Sequence, residues 1–147
     1  MTISLALSNL NMTNKKFTDE QALAVGTTAE NVIVTARAGS GKTRVIVARC
    51  VFLIRFIGVP ASKILILAFN KSAVQEMRER VLEELAPKDK RSGISDELSS
   101  MEPDIDLRQT WVAGKAKELK IDLPEVRTFD SLASSIVSKA GVSLDIL

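Results

Sequence analysis

The chain has no histidine and a single cysteine, Cys50, among its 147 residues. Without histidine the commonest general base and the commonest metal ligand are both missing. One cysteine excludes an internal disulfide and argues against a zinc site. No apolar run approaches the roughly 18 residues of a membrane span. Met1–Asn14 is rich in Ser, Asn and Thr with scattered Leu. It lacks the basic start and long apolar core of a signal peptide, so the expected compartment is the cytoplasm.

What is present suits a folded α/β protein. Apolar residues make up 46% of the chain, enough for a packed core, and the length suggests one domain or part of a larger one. The net charge of +2 hides an asymmetry. Residues 1–81 carry 11 basic and 5 acidic side chains, whereas residues 82–125 carry 7 and 11. A basic first half suits a polyanionic partner, and an ordinary solvated surface explains it equally well.

Local patterns alternate between helix and strand. Thr18 is a helix N-cap followed by Asp19 and Glu20, and Gly26 ends that helix. Asn31–Ala36 is a short β-branched run that reads as a buried strand, and Lys42–Ile57 as a helix stopped by Gly58 and Pro60. That helix is expected to be buried on most sides, through Val45, Ile46, Ala48, the Arg49 stem, Phe52 and Leu53. Lys63–Phe69 is a second continuous apolar run. Uninterrupted apolar strands point to a parallel sheet covered on both faces. Lys71–Leu85 is helical, with Ala73, Val74, Met77, Val81, Leu82 and Leu85 on one side. Residues 87–107 are polar and read as a mobile loop, with a helix expected over Leu107–Lys120. Val126–Phe129 is a third short strand and Ser131–Ala140 a closing helix. Alternation of this kind predicts a parallel α/β sheet with crossover helices.

The sharpest signal is Ala36-Arg37-Ala38-Gly39-Ser40-Gly41-Lys42-Thr43. It lies between an expected strand and an expected helix, the context a phosphate-binding loop needs. Gly39 and Gly41 allow the backbone to curl so that several N–H groups face one point. The helix start adds its partial positive charge there. Lys42 is placed to reach the β- and γ-phosphates, and the Thr43 hydroxyl to take Mg²⁺. Ala36 stands where the general pattern has its first Gly, so the match is partial. A nucleoside triphosphate with Mg²⁺, ATP first among them, is the expected ligand.

Four ordered segments resemble UvrD/Rep-type superfamily 1 DNA helicases. Thr35–Val47 is similar to motif I, where Ala is also usual at the first Gly position. Phe17–Val25, FTDEQALAV, resembles the Q motif, which implies that Gln21 bonds the adenine edge through its donor and its acceptor. Ile64–Val81 resembles motif Ia. There Phe69 is implied to stack on a base of single-stranded DNA, while Asn70, Lys71 and Ser72 meet phosphates. Lys71 stands where many members have Asn, and Ser72 where they have Lys, so the charge is displaced by one position. Val126–Ala133, VRTFDSLA, resembles motif Ib, leaving Thr128 and Ser131 as phosphate ligands. Asp130 replaces the usual His, and a carboxylate is unfavourable beside a DNA backbone. The resemblance implies a nucleotide site made of Gln21, Ala38, Gly39, Ser40, Gly41, Lys42, Thr43 and Arg44, with Lys42 also catalytic.

It also implies a P-loop NTPase fold of RecA-like type: an incomplete first helicase domain over 17–147, after a tail at 1–16. The acidic spacer at about 87–124 is a polar insertion. In full-length relatives ATP drives 3′–5′ translocation on single-stranded DNA. The Asp-Glu motif that completes hydrolysis follows an apolar strand in that family. Here Asp19-Glu20 opens a helix and Asp96-Glu97 lies in a polar stretch. The expectation is therefore the ATP-binding portion of a helicase, completed by a C-terminal part, or a stand-alone nucleotide and single-stranded-DNA binder without turnover. A further P-loop enzyme class, the small-molecule kinases, calls for an Arg-rich lid after Phe69 that this sequence does not show. Without the Asp-Glu strand, Val32–Ala36 is left with an apolar edge and a tendency to self-associate.

Overall fold

A computed structural model describes residues 17–141; the expected tail, 1–16, and residues 142–147 lie outside the described residues. The described chain holds six α-helices and a two-stranded parallel sheet. Helix α1, Asp19–Gly26, starts at the expected cap. The Thr18 side chain accepts from the Gln21 backbone N–H, and the Gln21 side chain accepts from the Thr18 N–H, a reciprocal capping box.

Helix α2, Lys42–Phe52, runs on into a π-helical turn at Leu53–Ile57, closed by Gly58 at φ 85°. Its buried positions are Val47, Ala48, Cys50, Val51 and Phe52. The expectation of Ile46 in the core is corrected: it is 43% exposed, because the apolar face is rotated by about one residue from the one read off the sequence. Arg49 of α2 reaches back to the Val25 and Thr27 carbonyls at the end of α1. A cation thus satisfies carbonyls that the last turn leaves without intrahelical partners.

Strand β1, Leu65–Ala68, pairs in parallel with β2, Glu125–Thr128, in the register Ile66 to Val126 and Ala68 to Thr128. Between them run α3 (Lys71–Leu85), α4 (Lys88–Ser100) and α5 (Ile105–Glu118), and α6 (Phe129–Lys139) follows β2. Ile66 and Val126 turn into a core with Val25, Val47, Val51, Val74, Met77 and Val81. Arg78 of α3 donates to the Val126 carbonyl at 2.9 Å and fixes that helix against the sheet.

Two expectations are overturned. Residues 32–36 form no strand; Val32, Ile33 and Val34 lie in solvent, Ile33 at 92% exposure. β-branched composition favours extended backbone, but a strand also needs a partner ladder, and β1 bonds only β2 among the described residues. The stretch 87–107 is not a mobile loop but mostly helix α4. Its polar composition misled because only Arg91, Ile94 and Leu98 of this helix are buried. Ile94 and Leu98 pack with Ala86 of the α3 C-terminus, and Val112 and Ala116 of α5 pack on Leu82. The acidic insertion is thus a helical pair seated on a flank of α3, against Leu82 and Ala86. Buried Arg91 completes the joint by donating to the carbonyls of Ala86 and Glu84, at 3.1 and 2.9 Å.

Candidate phosphate loop and aromatic platform

The turn between residues 36 and 42 has the shape its glycines predict. Gly39 has φ 76° and Gly41 φ 83°, conformations that a side chain would strain. The Ser40 hydroxyl donates to the Arg37 carbonyl at 2.6 Å, and the Ser40 N–H donates to the same oxygen at 3.2 Å. Gly41 is the N-cap of α2 and supplies no side-chain acceptor. The N–H groups of the first turn therefore have neither an intrahelical partner nor a cap. Four other helices differ: α1, α3, α5 and α6 each start under a side-chain oxygen, from Thr18, Asn70, Asp104 and Thr128. Lys42 projects from this turn into solvent, with Thr43 half-buried beside it. Uncapped N–H donors, a lysine and a hydroxyl at one point fit a polyphosphate with its cation.

Gln21 joins the same site across 19 residues of sequence. Its Nε2 donates to the Ser40 carbonyl at 3.0 Å. The Arg44 guanidinium lies 4.0 Å above the ring centroid of Phe17, a cation–π contact that orients the arginine. Phe17 was not singled out as a site residue by sequence. Its signal was the position four residues ahead of Gln21, but only the α1–α2 packing shows which ring supports Arg44.

The second candidate group gathers at the C-terminal ends of β1 and β2. Phe69 is 90% exposed, which rules out a core role. Phe129 lies beside it with ring centroids 5.8 Å apart and planes tilted by 52°. No local pattern marks Phe129 as a partner of Phe69; the parallel register pairing Ala68 with Thr128 is what makes the next two residues neighbours. Asn70 caps α3, its Oδ1 accepting from the Ala73 N–H at 2.8 Å, with Lys71 and Ser72 exposed in the first turn. Thr128 and Ser131 also serve the local fold: the Thr128 hydroxyl accepts from the Ser131 N–H, and Arg127 donates to the Ser131 hydroxyl and carbonyl. Asp130 lies in the first turn of α6, where a negative charge favours the helix.

Cys50 belongs to neither group. Burial pushes its thiol up to about 11, and a thiol so seldom ionised is a packing residue. No group of His, Cys, Asp and Glu able to hold a metal is assembled among the described residues. No helix among them is long and apolar enough to cross a membrane.

The chain thus has an α/β fold in which a glycine turn opens a helix and a glutamine from the preceding helix is tied to that turn. The sequence matches the UvrD/REP helicase N-terminal domain over residues 17–147, and the chain belongs to that family. It is 33% identical over 135 residues to an ATP-dependent helicase/nuclease subunit of Lactobacillus gasseri, covering 92% of this chain and 10% of that protein. It is 37% identical over 131 residues to the protein of the same name from Lactobacillus johnsonii, covering 89% and 10%. The relative from Heliobacterium modesticaldum is 30% identical over 131 residues, covering 89% and 8%. The chain thus spans about a tenth of the length of the curated relatives it matches.

Proposed function

We propose that this helicase N-terminal domain portion is the ATP-binding part of a cytoplasmic DNA helicase motor, with the fold of an incomplete RecA-like first domain. The observation that carries the reading is the Gly39–Gly41 turn opening α2 uncapped, with Lys42 and Thr43 in its first turn and Gln21 bonded to Ser40. The backbone N–H groups of Ala38, Gly39 and Gly41 with Lys42 would hold the phosphates, Ser40 would shape the turn through its bonds to Arg37, and the Thr43 hydroxyl would hold Mg²⁺. Gln21 and Arg44 would take the adenine, one by its edge and one by its face. Bound ATP supplies the phosphoryl-transfer chemistry; these residues bind and orient it, and Lys42 places positive charge where phosphate charge develops.

Phe69 and Phe129 would present stacking faces to bases of single-stranded DNA, with Asn70, Lys71, Ser72, Thr128 and Ser131 near its phosphates. Translocation, with its 3′–5′ direction, would need the remainder of a helicase, on this chain or another.

The test is nucleotide binding and ATP turnover, with and without single-stranded DNA, for wild type and Lys42→Ala. Lys42-dependent binding of ATP with Mg²⁺ is expected. Binding that persists unchanged in Lys42→Ala sinks the site assignment. Lys42-dependent binding without turnover, alone and with a C-terminal helicase part added, would favour the stand-alone binding module.

A further inference from the structure

Gln21 has two tasks in this fold, and only one of them is reading a base. A carboxamide offers two N–H donors and an oxygen with two lone pairs. One lone pair takes the Thr18 N–H at 3.0 Å, and one N–H goes to the Ser40 carbonyl at 3.0 Å. One donor and one lone pair remain for the edge of an adenine. The bond to Ser40 has a geometric consequence. In a trans peptide the C=O and the following N–H point in opposite directions. With the Ser40 carbonyl drawn toward α1, the Gly41 N–H is turned away from α1. Gly41 is at φ 83°, and a Cβ placed on it would meet Gln21 Nε2 at 3.4 Å, so the glutamine lies directly over this peptide. The Ser40 N–H and hydroxyl are already committed to Arg37. The Ser40–Gly41 peptide is therefore held from the α1 side by Gln21.

We propose that Gln21 is a positioning residue for the phosphate loop: it fixes the Ser40–Gly41 peptide so that the Gly41 N–H faces bound phosphate, whether or not a base is present. The proposal rests on the reading of residues 36–43 as a phosphate site and adds that the loop depends on α1 for its shape.

The probe is Mg²⁺ with inorganic tripolyphosphate, which has phosphates and no base, compared with ATP by calorimetry. One neutral hydrogen bond contributes about 0.5–1.5 kcal/mol, or about 2- to 12-fold in binding. Gln21→Met, neutral and of similar length, should weaken tripolyphosphate by about 3- to 10-fold and ATP by at least as much. Unchanged tripolyphosphate affinity with weakened ATP would overturn the proposal and leave Gln21 as a base reader alone. Gln21→Glu guards against loss of α1, since Glu is a usual capping-box partner and keeps the acceptor for the Thr18 N–H. It removes both amide donors, the one to Ser40 among them, and adds a carboxylate charge, so this variant is read in the nucleotide-free protein alone. In the nucleotide-free protein this variant should melt within about 6 °C of wild type, as loss of one hydrogen bond allows, yet shift the Gly41 amide resonance. A stationary resonance would overturn the proposal independently of any ligand. Failure of the site reading has a separate signature: tripolyphosphate binding that is absent in wild type or unaffected by Lys42→Ala.

Discussion

Arg108 ties the helical insertion to α3. Its Nε and Nη2 donate to the two carboxylate oxygens of Glu79 on α3, at 2.7 and 3.0 Å. Its Nη1 donates to the carbonyls of Leu98 and Met101, where α4 ends, at 3.0 and 3.3 Å. One guanidinium thus joins α3, α4 and α5, using the fork that lysine lacks. The pair is neither buried nor free, with side-chain exposures of 19% for Arg108 and 13% for Glu79. Exposed pairs contribute about 0–1 kcal/mol, and breaking a buried one costs about 3–5 kcal/mol. Arg108→Met leaves Glu79 with only Gln75, at 3.1 Å, and two carbonyls short of a donor. The cost falls between those limits, at about 2 kcal/mol in urea unfolding at neutral pH, or about 4–8 °C in melting temperature. Arg108→Lys should recover little of it.

The pH dependence has a definite sign. Burial pushes the Glu79 carboxyl up, but the hydrogen bonds from Arg108 and Gln75 and the Arg108 charge outweigh it, leaving it below its ordinary 4.5. A carboxyl lowered by folding stabilises above its unfolded pKa and loses that contribution as pH falls through the folded value. The gap between wild type and Arg108→Met should be constant near neutrality and shrink once the pH drops below about 4.5. A gap under about 0.5 kcal/mol at pH 7, or one that persists undiminished in acid, would refute this account of the clamp.

Phe69→Ala and Phe129→Ala should each weaken single-stranded DNA binding by about 1–3 kcal/mol in fluorescence anisotropy, with affinity falling as salt rises; wild-type affinity in both variants would exclude stacking there. Ile94→Ala, emptying a buried site between α3 and α4, should cost about 2–5 kcal/mol of stability in denaturant unfolding, and a mobile loop would show almost none. Ile33→Lys, which replaces an apolar side chain almost wholly in solvent beside exposed Val32 and Val34, should lower self-association in sedimentation velocity without lowering the melting temperature. Cys50, with its thiol raised to about 11, should resist a thiol reagent at pH 8 in native protein and react promptly once unfolded.

The local features were legible in the sequence because short-range chemistry decides them. Thr18 and Gln21 make a capping box three residues apart, Gly39 and Gly41 take the positive-φ conformations that glycine favours, and the apolar stripe of α3 faces its neighbours nearly as spaced. The same residues in the same order carried the family resemblance. Tertiary structure decided what depends on distant partners. Residues 32–36 have the composition of a strand but no ladder to join, so they lie exposed. The polar stretch after Pro87 becomes a helix because Arg91, Ile94 and Leu98 find the C-terminal end of α3 and the helix that follows. Phe129 becomes a neighbour of Phe69 only through the register of β1 on β2. Gln21 could be read in sequence as the partner of an adenine, but that it grips the Gly39–Gly41 turn follows from how α1 packs on α2, which no local pattern specifies.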